Sequence, residues 1–175
     1  MKKVLMLFAA VCCMVFMGIT LNSCDNGNDP SKKTDLSKLD PYLVWGASLA
    51  DVQAHIEAKD WYKAGNDSLE YWEAMGWHRW YWVADSLTEQ YLFKTKDGQN
   101  LVYVETYCYA TTVSFSEGGQ YLTDKGYTLL SSNKDKTTGQ RYEYYLSPDK
   151  QIRAKLVECD SRYWFILFSP PVNVD

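Results

Sequence analysis

The hydrophobic pattern divides the chain into three stretches. Val4 to Ile19 is apolar, broken only by Gly18. Asp25 to Asp40 (DNGNDPSKKTDLSKLD) is polar and without aromatics. From Pro41 onward, short periodic segments alternate with turn residues. Leu49, Val52 and Ile56 repeat at i, i+3 and i+4 spacing, which predicts an amphipathic helix. Ser48 stands at its N-cap and Asp51 three residues later, an approximate capping box. Ser114-Phe115-Ser116-Glu117 is a fuller box and predicts a second helix reaching about Lys125. Gly126 supplies the left-handed residue that ends helices. Gly118 and Gly119 weaken that helix, which points to close packing against a sheet or to an imperfect helix. Strands are expected near 78–84, 89–95, 100–109, 128–132, 141–147, 151–158 and 162–168. Tyr163 to Phe168 is apolar on both faces, as a covered central strand would be. Helices grouped against an antiparallel meander give an α+β fold.

The two helical starts align at one offset. Ser48 matches Ser114, Asp51 matches Glu117, Ile56 matches Leu122 and Lys59 matches Lys125. A strand–turn–strand pattern recurs after each, at Gln90–Gln99 and Glu143–Lys150. The expected fold is therefore two helix-then-antiparallel-strand units, with the helices on one face of an antiparallel sheet. The units would span about 41–110 and 111–175 of a domain covering 41–175.

The beginning of the chain reads as an address. Lys2 and Lys3 precede the apolar run, and Leu21-Asn22-Ser23-Cys24 follows it. A basic start, an apolar core and a small residue before the cut describe a secretory signal. Leu21, Ser23 and Cys24 resemble the lipobox of bacterial lipoproteins; Asn22 departs from the usual small or apolar residue. The resemblance implies that 1–23 is removed and that Cys24 carries a covalent lipid, with no other cofactor. Each buried methylene of an acyl chain contributes about 0.8 kcal/mol, so several chains together anchor firmly. Residues 24–40 then form the lipidated cysteine and a flexible tether, which at full extension would reach about 55 Å. The expected location is the cell envelope, the outer membrane in preference to the inner, with the face left open.

Trp45-Gly46-x-Ser48-x-x-Asp51-Val52 resembles the start of the β-lactamase-inhibitor-like repeat, shared by the SmpA/OmlA outer-membrane lipoproteins. That resemblance implies helices on a short antiparallel sheet and a role in protein binding or envelope assembly. It implies a second helix in each unit, which this chain lacks unless 66–76 supplies one.

Charge and chemistry narrow the function. Lys and Arg number 18 against 22 Asp and Glu, a net charge of −4. Loss of 1–23 removes only Lys2 and Lys3, leaving 16 − 22 = −6. An acidic chain with no basic run is not a nucleic-acid binder. Only two histidines occur. His55 follows Asp51 by one helical turn, a spacing that suits a paired site, and His78 lies in a strand. No nucleophile elbow, phosphate loop or metal motif is present, so the expectation is a non-enzyme without a metal.

The aromatic content is unusual. Five of the seven Trp lie between Trp61 and Trp82, with Tyr62, Tyr71 and Tyr81. In a strand, Trp80 and Trp82 point one way, and Arg79 and Tyr81 the other; one face must meet the core, which aromatics fill well, and the other then shows large aromatics to solvent or a partner. Trp77, Arg79, Trp80, Tyr81 and Trp82 are therefore the candidate binding residues, because Trp, Tyr and Arg concentrate at binding hot spots. The expected partner is another envelope protein; stacking on a glycan is the alternative. Cys108 and Cys159 are candidates for a disulfide. Alternation places them on different faces, and a single bulge would bring them together.

Overall fold

The computed structural model describes residues 34–59, 67–72, 77–84, 87–94, 99–110, 113–159 and 162–171. Helix α1 (Leu49–Glu57) opens on a reciprocal capping box: Asp51 N donates to Ser48 Oγ at 3.2 Å, and Ser48 N donates to Asp51 Oδ2 at 3.0 Å. Helix α2 (Phe115–Asp124) opens on the same device between Ser114 and Glu117. It closes at Gly126, whose φ is +83°. Gly126 N donates to Thr123 O and Tyr127 N to Leu122 O, the paired bonds of a Schellman cap.

The eight strands are β1 (Asp67–Trp72), β2 (Trp77–Ala84), β3 (Leu87–Phe93), β4 (Leu101–Tyr109), β5 (Thr128–Lys134), β6 (Arg141–Leu146), β7 (Arg153–Glu158) and β8 (Tyr163–Ser169). They form one antiparallel sheet in the order β1-β2-β3-β4-β8-β7-β6-β5. The fold is α+β and dominated by its sheet. Each helix precedes four strands that pair in chain order, and β4 meets β8 at the centre. Within the stretch 66–76, offered above for a second helix of the first unit, the described residues Asp67–Trp72 form β1. Its Leu69 and Tyr71 alternate with Ser68 and Glu70, the period of a strand.

Alternation sorts the sheet into two faces. The inner face carries Tyr91, Phe93, Val104, Cys108, Ala154, Leu156, Trp164, Ile166 and Phe168, in one buried cluster with Val52 and Ile56 of α1 and Phe115 and Leu122 of α2. The outer face carries a second cluster of Tyr107, Val157 and Phe165, flanked by half-buried Tyr142, Tyr163 and Leu167. Strand β8 is covered on both: Trp164, Ile166 and Phe168 are at most 1% exposed, and Phe165 is 6% exposed. The two glycines of α2 sit against the inner face. A Cβ on Gly118 would lie 2.7 Å from Trp164 Cη2, and one on Gly119 2.8 Å from the Tyr145 hydroxyl.

Two expectations are corrected here. The tether does not run to residue 40: the chain forms a 3-10 turn at Leu36–Lys38, and Leu39 is fully buried. Leu36 and Leu39 give this polar segment one apolar edge, enough to dock it. Residues 24–33 lie outside the described residues. Nor is there a Cys108–Cys159 disulfide; both are thiols. Cys108 belongs to the inner cluster and Cys159 packs against the outer one, so the sheet lies between them.

Candidate functional site

Strand β2 places two of the five candidate binding residues in the interior. Trp80 is 1% exposed, and its ring lies 5.7 Å from that of Tyr91, its register partner on β3. It is therefore a core residue and not a contact surface. Arg79 points to the outer face and is also buried. The backbones of Trp77, His78, Tyr81 and Trp82 run through β2; their side chains lie outside the described residues, as does Cys24. The Asp51–His55 pairing does not form. Asp51 turns to the Ser48 cap, and His55 Nε2 lies 3.0 Å from the Asp40 carbonyl.

The outer face of β6, β7, β8 and β4 supplies an aromatic and cationic strip instead. Tyr144 pairs in register with Lys155, Lys155 with Leu167, and Phe165 with Tyr107. Tyr142 and Tyr144 meet edge to face at 5.8 Å. Lys155 Nζ stands 5.0 Å from the Tyr142 ring centroid and 5.5 Å from that of Tyr144. The Arg153 guanidinium lies 5.5 Å from the Tyr144 centroid. Tyr107 packs 5.2 Å from Phe165 and 6.4 Å from Tyr163. Cation–ring contacts of this kind hold long side chains in place over the sheet. Charge is divided by face: Arg153 and Lys155 of β7 point outward, whereas Arg141, Glu143 and Glu158 fall on the inner side of the same strands. The sequence signal for this strip is the alternation of Tyr142 and Tyr144 with Glu143 and of Arg153 and Lys155 with Ala154, weaker than the dense Trp cluster of β2.

A Glu-x-Tyr step recurs three times. The hydroxyls of Tyr91, Tyr107 and Tyr145 donate to the carboxylates of Glu89, Glu105 and Glu143, two residues back, at 2.7, 2.8 and 2.6 Å. Adjacent same-face side chains on a strand make this reach short.

Of the three, Glu89 is the most deeply placed, at 1% exposure on the inner face. Its Oε2 accepts from Tyr91, and its Oε1 meets no donor among the described residues. Burial raises its carboxyl above the ordinary range, against the opposing pull of Lys59 and the Tyr91 hydrogen bond. Burial lowers Lys59 in turn, while Glu89 and Asp40 oppose that shift. The Tyr91 hydroxyl also accepts from Tyr42 N at 3.3 Å, and Lys59 Nζ donates to the Asp40 carbonyl.

A cleft of about 270 Å³ opens beside the start of α2, lined by Ser114, Phe115, Arg141, Glu158, Tyr163 and Trp164. Arg141 there makes a bidentate pair with Glu158 at 2.7 and 3.0 Å and lies over the Phe115 ring. Among the described residues, no three His, Cys, Asp or Glu side chains converge to hold a metal. No described helix is long and apolar enough to cross a membrane.

No family model, curated protein or solved structure matches this chain.

Proposed function

We propose that this chain is a lipid-anchored cell-envelope protein whose domain binds another protein without catalysis. The contact surface is the outer face of β6, β7, β8 and β4. One observation carries the reading: Tyr142, Tyr144 and Tyr163 form a half-buried strip with Arg153 and Lys155 braced against the rings. Tyr and Arg are the residue types that supply binding energy at interfaces, and side chains already held lose little entropy on docking. The same bracing disfavours a glycan as the principal ligand. A sugar ring stacks on an open aromatic face, and here cations stand against the rings of Tyr142 and Tyr144.

The lipobox-like residues before Cys24 support the anchor, with the outer membrane as its destination. The finer architecture belongs to the same proposal. The domain is two copies of one unit, each a helix followed by four strands, with both helices on the inner face. Val52, Ile56, Phe115 and Leu122 sharing one cluster supports that arrangement. It would leave the half-buried part of the outer face, Tyr142, Tyr144 and Tyr163 with Arg153 and Lys155, for a partner to reach around the buried Tyr107, Val157 and Phe165, in keeping with the resemblance to the SmpA/OmlA lipoproteins.

The test is capture of partners by the full lipidated chain, compared with R153E/K155E and with Cys24→Ala. The reading expects one envelope protein that the charge reversal loses while thermal stability is kept, and that Cys24→Ala depletes by mislocalising the chain. Equal capture by wild type and R153E/K155E would refute the surface.

A further inference from the structure

The segment Asp35–Tyr42, the first described stretch after the expected lipid anchor, is strapped over the inner core at several points. Leu39 is fully buried in the cluster shared by both helices. Its carbonyl accepts from the Tyr121 hydroxyl of α2 at 2.9 Å. The neighbouring Asp40 carbonyl accepts from Lys59 and lies 3.0 Å from His55 Nε2 of α1. Two residues on, Tyr42 N donates to the Tyr91 hydroxyl of β3, which itself donates to Glu89. The strap thus closes a circuit: Asp40 to Lys59, Lys59 beside Glu89, Glu89 to Tyr91, and Tyr91 back to Tyr42.

We propose that this strap is an ionisation-sensitive latch, held shut by a neutral Glu89 and released as Glu89 takes on charge. The groups facing Glu89 are Asp40 from the strap, His55 and Lys59 from α1 and its end, Tyr91 from its own strand, Cys108 from β4 and Tyr121 from α2. Among the described residues, Lys59 and His55 are the groups that oppose a negative charge there. Burial outweighs both: the Glu89 side chain is 1% exposed and its Oε1 meets no donor among the described residues, while its one hydrogen bond runs to Tyr91, the residue that also holds Tyr42 N of the strap.

The sign follows from linkage. Lifting the strap hydrates Glu89 and returns it to the ordinary carboxylate range. The shut form therefore holds a proton that the open form has lost, over the pH interval between the ordinary value of 4.5 and the raised one. Within that interval, opening grows about tenfold per pH unit and then levels off. Lys59 acts oppositely near its own range: its shut form is the more easily neutralised, so opening falls again as pH approaches 10.5. Taken with the anchor reading of Cys24, on which this consequence rests, release would lengthen the chain between lipid and domain. Residues 25–33 extend at most about 30 Å; adding 34–42 doubles that to about 60 Å.

Hydrogen exchange of the Leu39 and Tyr42 amides reads the latch directly, in the full chain held in detergent micelles. After correction for the intrinsic base-catalysed rate, wild type is expected to open more readily as pH rises above 4.5, at a slope approaching tenfold per pH unit before it levels off. Glu89→Gln keeps an acceptor for Tyr91 and is expected to abolish that slope. Tyr91→Phe cuts the link to Tyr42 N, and is expected to raise opening at every pH while keeping the slope. A wild-type slope equal to that of Glu89→Gln would overturn the proposal. So would strap amides that exchange no faster than those of β4 and β8, or a Tyr91→Phe strap that opens no more than wild type. If Glu89→Gln fails to fold, the last two comparisons still decide. None of these readouts depends on a partner, so the latch and the binding face fail separately.

Discussion

Replacing Gly118 by alanine separates two physical effects of opposite sign. In a solvent-facing helix the substitution stabilises by about 1 kcal/mol, because glycine is the costlier residue to order. In α2 the added methyl would lie 2.7 Å from Trp164 Cη2, 2.8 Å from Cζ3 and 3.2 Å from Leu156 Cδ1. The indole has little room to move. Trp164 is 1% exposed, and its Nε1 donates to the Val113 carbonyl at 2.7 Å. Leu156 is fully buried behind it. Overpacking at such a site costs about 1–3 kcal/mol. Two contacts under 3.0 Å put this site in the upper part of that range, about 2–3 kcal/mol, so the expected result is a net loss of about 1–2 kcal/mol. For a domain of this size that lowers Tm by roughly 3–8 °C. Urea unfolding followed by tryptophan fluorescence, with thermal melts alongside, measures it. A G118A domain more stable than wild type would refute the claim that α2 is seated on the indole of β8.

Three further outcomes are expected. Leu39→Ala should cost about 2–5 kcal/mol in urea unfolding, as a core leucine does, although Leu39 lies in a stretch that reads as linker. Trp80→Ala should lower stability by about 3–5 kcal/mol, and any loss of binding should track the unfolded fraction rather than precede it. A membrane-permeant maleimide should label half-buried Cys159 well before Cys108, whose thiol burial pushes up and out of reach, with peptide mass mapping as the readout.

The helices were the most legible elements, because Ser48/Asp51 and Ser114/Glu117 are local signals that need no knowledge of the rest of the chain. The strands after Gln99 were legible for a related reason: alternation such as Arg153-Ala154-Lys155-Leu156 states which residues face the core. Strand β1 was not, since the alternation of Ser68-Leu69-Glu70-Tyr71 covers only four residues, too short a run to set a strand apart from a helix. Trp80 shows the limit of composition. A run of aromatics can equally fill a core or line a surface, and the register opposite Tyr91 decides between them. Glu89 was invisible for a similar reason. It reads as one of many scattered acids, and only the meeting of the strap, α1 and β3 makes it a buried group with one unmatched oxygen. The outer strip lay between these cases: its residues alternate visibly, but their assembly depends on β4 joining β8.

The most direct test of the binding face is site-specific photocrosslinking in intact cells. A photoreactive residue would replace Tyr144 on the outer strip or, as the comparison, Asp124 at the exposed end of α2. The account expects one defined protein adduct from position 144, lost when Lys155→Glu is added, and none from position 124. Equal adducts from both positions, or an adduct from 124 alone, would contradict the outer face as the contact surface.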